Sequence, residues 1–295
     1  METVGPIARF WWLLRRAAVV CYEENCFAVS KGAAYSALLS LFPVLTTVAA
    51  LLVQAKAGPV LDVLSDLLYQ AAPPGTEELL LNRFTGHGEK PVMILVTAIF
   101  VSLFAASGVM LSLMEGFNGV YHVPTNRSFL TNRAVAAVLV FSTALPAVGA
   151  SALILFGSRT EQAVLVRLSG LQLAQLTGGV LLAGQITRYL VSFLTIVMVT
   201  AILYYVGANR PQKWNQVWAG AFVATFLWLL VTQGFAWYVR NMAGYNFFYG
   251  SIGTVIALLV WMYLLAIIAY YGCAFNAARE QLLTAESQSD LSGLT

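Results

Sequence analysis

Hydroxyls, amides and phenols supply most of the polar chemistry inside the apolar stretches of this chain, and carboxylates and imidazoles are almost absent from them. Tyr35, Ser36 and Ser40 precede Pro43 in a charge-free run over residues 33–53, and Thr46 and Thr47 follow it. Ser102, Ser107 and Ser112 recur in a second run, and Ser142 and Thr143 precede Pro146 in a third. A buried proline frees a carbonyl about one turn earlier, and broken helices of this kind line many transport sites. Such groups can solvate a polar or amphipathic molecule without a fixed charge. The plain alternative is packing: small residues and hydroxyls gather at helix contacts in any membrane bundle, and prolines kink helices for fit.

Catalytic constellations are not found. His87 and His122 are expected on opposite sides of a membrane, so they cannot share a metal. Cys21 and Cys26 do not form a C-x-x-C pair, and Cys273 falls in the last apolar run, so all three read as small buried hydrophobes. No glycine-rich phosphate loop and no G-x-S-x-G occurs. We therefore expect no catalytic residue, no metal and no cofactor. Ionisable residues inside spans usually mark ion or proton pathways. Here Glu115 closes the second span and Arg188 opens the fourth. Glu115 is expected either to pair with Arg127 or Arg133 across the adjoining loop or to guard an entrance, which makes Glu115, Arg127, Arg133 and Arg188 the gating and charge candidates.

The elements that must position these groups follow from composition. Of 295 residues, 59% are hydrophobic and 10% charged, against about 25% charged in ordinary soluble domains. A spanning helix needs about 20 apolar residues. Six runs reach that length, at about 33–54, 91–114, 134–157, 186–206, 217–238 and 251–275. The runs are continuous, whereas strands of an outer-membrane barrel alternate apolar and polar residues. The first run is too long for the core of a cleavable signal and is expected to remain as an anchor. The reading is an all-α, polytopic membrane bundle forming one domain over residues 1–278, with a short, polar, disordered cytoplasmic tail at 279–295.

Basic residues orient the bundle. With the amino terminus inside, Arg9, Arg15, Arg16, Lys31, Arg127, Arg133, Arg210, Lys213 and Arg279 fall on the inner side, in shorter segments than the remaining Lys and Arg. Both termini are then expected in the cytoplasm. Because the basic residues divide between two faces and form no single stripe, nucleic acid is not an expected partner.

Three segments outside the spans carry amphipathic periodicity. Ile7, Phe10, Trp11, Leu14, Ala18 and Cys21 share a helical face among Arg9, Arg15 and Arg16, predicting an amphipathic helix over 6–31. It would lie in the headgroup layer or pack on the bundle. Val60, Val63, Leu64, Leu67 and Leu68 predict a helix on the outer side, and a second restarts at Thr76 after Pro73-Pro74-Gly75. Residues 161–185 carry Arg167 and three glutamines among glycines, and predict an interfacial or partly re-entrant helix.

The most patterned stretch is Tyr245-Asn246-Phe247-Phe248-Tyr249-Gly250-Ser251-Ile252-Gly253, followed by Trp261-Met262-Tyr263 and Gly272-Cys273-Ala274-Phe275-Asn276-Ala277. An interfacial aromatic belt accounts for several rings. Asn246, Tyr249 and Ser251 add groups able to hydrogen-bond a chain or a ligand headgroup. These residues resemble the YihY/BrkB family of bacterial inner-membrane proteins. So do the first-helix run Ala34-Tyr35-Ser36-Ala37-Leu38-Leu39-Ser40-Leu41-Phe42-Pro43 and the stretch Phe117-Asn118-Gly119-Val120-Tyr121 with Arg127. The family commonly carries an acidic residue where this chain has Ala274, so a coupling role for that carboxylate does not carry over.

The resemblance implies a six-helix, multi-pass inner-membrane protein. Members have been labelled ribonuclease BN, a label regarded as a misassignment, and have been proposed as transporters and linked to envelope lipids. The residues argue against a nuclease, since no metal-binding carboxylates gather on one cytoplasmic face. The expected function is a permease or flippase-like transporter of a lipid or other amphipathic molecule. Its path candidates are Tyr35, Ser36, Ser40, Pro43, Asn118, Tyr121, Asn246, Tyr249, Ser251 and Asn276. The alternative is a non-transporting envelope scaffold or lipid-binding assembly protein. Expected partners are membrane lipids and another copy of the chain.

Overall fold

Six long helices are continuous because their sequences supply uninterrupted apolar side chains, and in a bilayer only a helix satisfies every backbone group within its own segment. The computed structural model describes residues 5–54, 91–124, 127–169, 177–241 and 245–292. Within them lie α1 (Pro6–Glu23), α2 (Cys26–Gln54), α3 (Pro91–Val120), α4 (Phe129–Ser169), α5 (Thr177–Gly207), α6 (Trp214–Asn241) and α7 (Tyr245–Ser292). Helices α2 to α7 each contain a stretch long and apolar enough to cross a membrane, with mean hydropathy from 1.3 to 2.5. No strand occurs among the described residues.

Packing follows chain order and then closes. Each helix from α2 to α7 lies against the next, and α7 returns to pack on α2, so the six spans form a ring. α3 also touches α5 and α7, and α1 lies outside the ring along α7.

The tightly packed core sits at one end of this ring, the end that carries α1, the α3–α4 and α5–α6 connections and the second half of α7. Phe117, Tyr204 and Tyr270 form its centre at 0 to 1% exposure. The Phe117 ring meets Tyr204 edge-on at 5.3 Å and Tyr270 at 5.7 Å, favourable geometries for aromatic pairs. Tyr204 Oη donates to the Ala269 carbonyl at 2.8 Å and Tyr270 Oη to the Ser112 carbonyl at 2.9 Å, so neither phenol is buried unsatisfied.

The structure corrects three boundaries. The helix expected over 6–31 ends at Glu23. Asn25 adopts φ 53°, a left-handed conformation that Asn tolerates better than most residues, and α2 restarts at Cys26. Residues 161–185 are not a separate interfacial helix, because 161–169 continue α4 and 177–185 begin α5. The expected disordered tail is helical to Ser292, extending α7 beyond the core to meet α1, where Arg9 pairs with Glu286. The pairing expected for Glu115 is also absent among the described residues. Glu115 is exposed, and Arg133 instead donates to the Phe104 carbonyl at 3.1 Å with its guanidinium 3.8 Å from the Phe104 ring centre. The two helices expected within 59–89, and His87, lie outside the described residues.

Candidate substrate path and the polar end of the bundle

Most hydroxyls in the spans are already satisfied by their own helix. Ser40 Oγ donates to the Ala37 carbonyl at 2.9 Å, Thr46 to Phe42 at 2.7 Å, Ser107 to Phe104 at 2.8 Å and Thr200 to Ile196 at 2.9 Å. This bonding to the preceding turn lets a hydroxyl sit in an apolar helix at little cost, and it occupies the donor. Ser36 differs, because its Oγ lies 3.3 Å from Ser112 Oγ and joins α2 to α3. Tyr35 points away from the ring at 60% exposure. Pro43 lies inside α2, which stays helical through it.

A smaller set is buried with no hydrogen-bond partner among the described residues. It comprises the hydroxyls of Thr47, Ser192, Thr225 and Thr232 and the Trp228 indole N–H. Thr225 is 1% and Ser192 3% exposed. Thr225, Trp228 and Thr232 recur at the i, i+3, i+7 spacing that places them on one face of α6. Ser192 stands on α5, the neighbouring helix of the ring, four residues after Arg188, which is 9% exposed and lies 5.4 Å from the Tyr189 ring centre. A buried hydroxyl without a partner costs about 1–3 kcal/mol, so a row of them is a feature that packing alone does not favour.

The amides take structural positions at the packed end. Asn118, 6% exposed, accepts the Asn209 backbone N–H at 2.8 Å and ties the end of α3 to the α5–α6 connection. Asn276, 3% exposed, accepts the Gly220 N–H at 2.6 Å and donates to the Val217 carbonyl at 3.1 Å, joining α7 to α6. Asn246, Tyr249 and Ser251 fall in the first turns of α7, where side chains lie outside what the structure describes.

Beyond the amides, the packed end is capped by charge. Arg210 pairs with Glu280 and lies 4.1 Å from the Tyr121 ring centre, so one guanidinium meets both a carboxylate and a π-face. Burial holds the Tyr121 hydroxyl above its ordinary pKa, keeping it neutral. His122, at φ 52°, ends the turn after α3 with its Nε2 3.5 Å from Glu24 on the α1–α2 turn. A pocket of about 390 Å³ opens here between the α3 end and α7, lined by Tyr121, His122, Arg210, Glu280 and Thr284.

Thus the candidates Asn118 and Tyr121 meet at one end, Ser36 and Ser40 lie along α2, and Arg127 and Arg133 belong to the α3–α4 region. They do not converge on a single point. Sequence reasoning missed Tyr204, Glu280 and the Thr225–Trp228–Thr232 row. The row was readable as three polar atoms at helical spacing in a largely apolar span, whereas the Arg210–Glu280 pair joins residues 70 positions apart and leaves no local signal.

The chain matches the family model described as Virulence factor BrkB over residues 19–292. It is 30% identical to the ribonuclease-like protein YfkH of Bacillus subtilis over 260 residues, which covers 84% of this chain and 88% of that protein. It is 29% identical to a UPF0761 membrane protein of Laribacter hongkongensis across 94% of this chain and 62% of the relative. A UPF0761 membrane protein of Chlorobium luteolum is 26% identical across 82% of this chain and 54% of that relative. The chain therefore spans little more than half the length of several relatives. No solved structure matches it. A match over nearly the whole chain, joined to six spans in a closed ring, makes this chain a multi-pass inner-membrane protein of the BrkB family.

Proposed function

We propose that the protein is a transporter, permease or flippase-like in action, that carries a lipid or other amphipathic molecule along the α5–α6 side of the ring. The observation that carries this reading is the row of buried donors on α6 with no hydrogen-bond partner among the described residues, Thr225, Trp228 and Thr232, together with Ser192 on the neighbouring helix α5. Hydroxyls and an indole offer weak, interchangeable hydrogen bonds. Such groups suit a cargo that moves past them, since no single contact is strong enough to trap it. The packed aromatic centre around Phe117, Tyr204 and Tyr270 closes the ring toward the α1 end, so the path in this state meets a barrier there. The other path candidates, Tyr35, Ser36, Ser40, Pro43, Asn246, Tyr249 and Ser251, are kept as secondary positions for replacement in the same assay.

The chain is read as a non-enzyme. The ribonuclease-like name belongs to the Bacillus relative. In this chain the polar end commits Glu280 to Arg210 and sets Glu24 beside His122, so neither carboxylate is left turned toward a shared metal or substrate position.

Reconstitution tests the transport reading. In liposomes carrying phospholipids with a fluorophore on one acyl chain or on the headgroup, the protein is expected to expose inner-leaflet label to a membrane-impermeant quencher faster than empty liposomes do. Replacing Thr225 and Thr232 by valine is expected to slow that exchange several-fold. Rates equal to those of empty liposomes for neutral and anionic lipids alike would reject transport of phospholipids and favour the scaffold reading.

A further inference from the structure

We propose that the open groove between α1, α6 and α7 binds one anionic phospholipid, with its phosphate between Arg9 and Arg279 and an acyl chain along Phe10, Phe222 and Phe275. The groove is about 540 Å³, within the range of about 300–1,000 Å³ typical of ligand sites. Its lining residues on α6, Ala219, Phe222 and Val223, fall on a different face of that helix from Thr225, Trp228 and Thr232, and the proposal stands whether or not the protein transports anything.

Three features identify the occupant. The first is chemistry divided along the groove: its cations are Arg9 on α1 and Arg279 on α7, while Phe10, Ala219, Phe222 and Phe275 supply apolar walls. A soluble anion would use the guanidiniums and gain nothing from the rings. A neutral lipid would use the rings and leave the guanidiniums idle.

The second is level. Ala219 and Phe222 lie in the second and third turns of α6, a span that opens with Trp214 and Trp218, whose rings are in edge-on contact at 5.8 Å. Tryptophans at the start of a span mark the interface between headgroups and hydrocarbon. The Trp218 ring contacts Phe222, and Phe10 contacts Phe275 across the groove at 6.0 Å, so the apolar wall runs on from that interface.

The third is charge. Arg279 is partly buried and has no ion pair or hydrogen bond among the described residues, whereas Arg9 shares Glu286. Phe10 and Phe222 are 47% and 41% exposed, which for two large rings beside a partly buried arginine is surface that a lipid would cover. A basic residue near an anionic membrane surface contributes about a fivefold preference for anionic lipid.

Native mass spectrometry of the full chain in neutral detergent tests this directly, using phosphatidylglycerol and phosphatidylcholine of matched acyl chains. Wild type is expected to retain one phosphatidylglycerol, with a preference over phosphatidylcholine of at least about fivefold. Arg279→Gln is expected to remove most of that preference, Arg279→Lys to keep most of it, and Arg15→Gln, on the exposed side of α1, to leave it unchanged. Filling the groove with Ala219→Phe is expected to reduce retention of either lipid. Equal retention of the two lipids by wild type, an unchanged preference in Arg279→Gln, or full displacement by millimolar inorganic phosphate would each overturn the proposal. The readout is binding alone, so failure of the flux assay leaves it intact, and failure here leaves the transport reading intact.

Discussion

Gly220 donates its backbone N–H to the side-chain oxygen of Asn276 at 2.6 Å, and the two helices approach so closely there that no other residue type fits. A Cβ on Gly220 would lie 2.1 Å from the Gly272 carbonyl oxygen and 2.5 Å from Asn276 Nδ2. The first of those atoms is backbone, so a rotamer change cannot relieve the clash. Gly220→Ala is expected to destabilise the bundle by about 1–3 kcal/mol or prevent its assembly. Asn276→Leu is expected to cost about 1–2 kcal/mol through the lost interhelical bonds. Thermal unfolding in detergent reads both, and a Gly220→Ala protein as stable as wild type would show that this seam is not close-packed.

The Arg210–Glu280 pair predicts a different pattern, because Arg210 also stacks on Tyr121. The pair is only partly exposed, at 19% and 32% of the two side chains, so solvent screening is incomplete. Arg210→Lys keeps the charge but loses the flat face. It is expected to recover less than half of the stability lost in Arg210→Gln. A double-mutant cycle with Glu280→Gln is expected to give a coupling of about 1 kcal/mol at low salt. Full recovery by lysine would mean that the ring contact contributes nothing.

How much of this was legible in the sequence divides by physical cause. The spans were readable because a bilayer demands about 20 uncharged residues, a requirement that acts locally and leaves an unbroken run. The three boundary errors arose where tertiary contact or a single dihedral overrides composition. The α1–α2 break depends on Asn25 taking a left-handed φ within an amphipathic pattern that otherwise continues. The polar stretch after Arg279 stays helical where α1 packs beside it and Arg9 reaches Glu286. Residues 161–169 are polar for a span yet extend α4 without a break. Among site residues, Asn118 and Asn276 stood out as amides in apolar surroundings, but their partners are backbone groups 91 and 56 positions away. Tyr204 looked like one more aromatic residue in an apolar run. Its importance comes from where α5 places it, against Phe117 and the Ala269 carbonyl.

Cys21 predicts a pH dependence. A hydrogen bond with Cys26 and then burial hold its thiol above the ordinary value of 9.0. In the unfolded chain the thiol ionises near its ordinary value, while in the folded chain it stays protonated. The stabilisation is therefore complete below pH about 8 and is lost as pH rises past the unfolded value. Its partner Cys26 is held below the ordinary value by the same bond, so the two thiols act in opposite directions on stability above pH about 9, and labelling of Cys21 itself is the direct readout. Alkylation by N-ethylmaleimide at pH 7.5 is expected to be at least tenfold slower in the folded protein than in denaturant. Rapid labelling of folded Cys21 would contradict the buried, protonated thiol.

Thr225→Val separates a path residue from a packing residue. Valine matches threonine in shape, so the exchange removes a hydroxyl and leaves the volume nearly unchanged. Where the hydroxyl has a partner, as Thr200 has in the Ile196 carbonyl at 2.9 Å, the exchange deletes a hydrogen bond that matters only to the helix itself. Where it has none among the described residues, as for Thr225 at 1% exposure, the exchange removes an unsatisfied group whose burial opposes folding. Thr225→Val is therefore expected to raise the unfolding temperature or leave it unchanged, while lowering lipid exchange in reconstituted liposomes several-fold. Thr200→Val is expected to leave exchange unchanged. Flux then falls at one residue without any loss of stability, which a purely structural hydroxyl cannot produce. Thr225→Val protein that exchanges lipid at the wild-type rate would remove α6 from the path, and a protein that loses stability and flux together would assign Thr225 to packing.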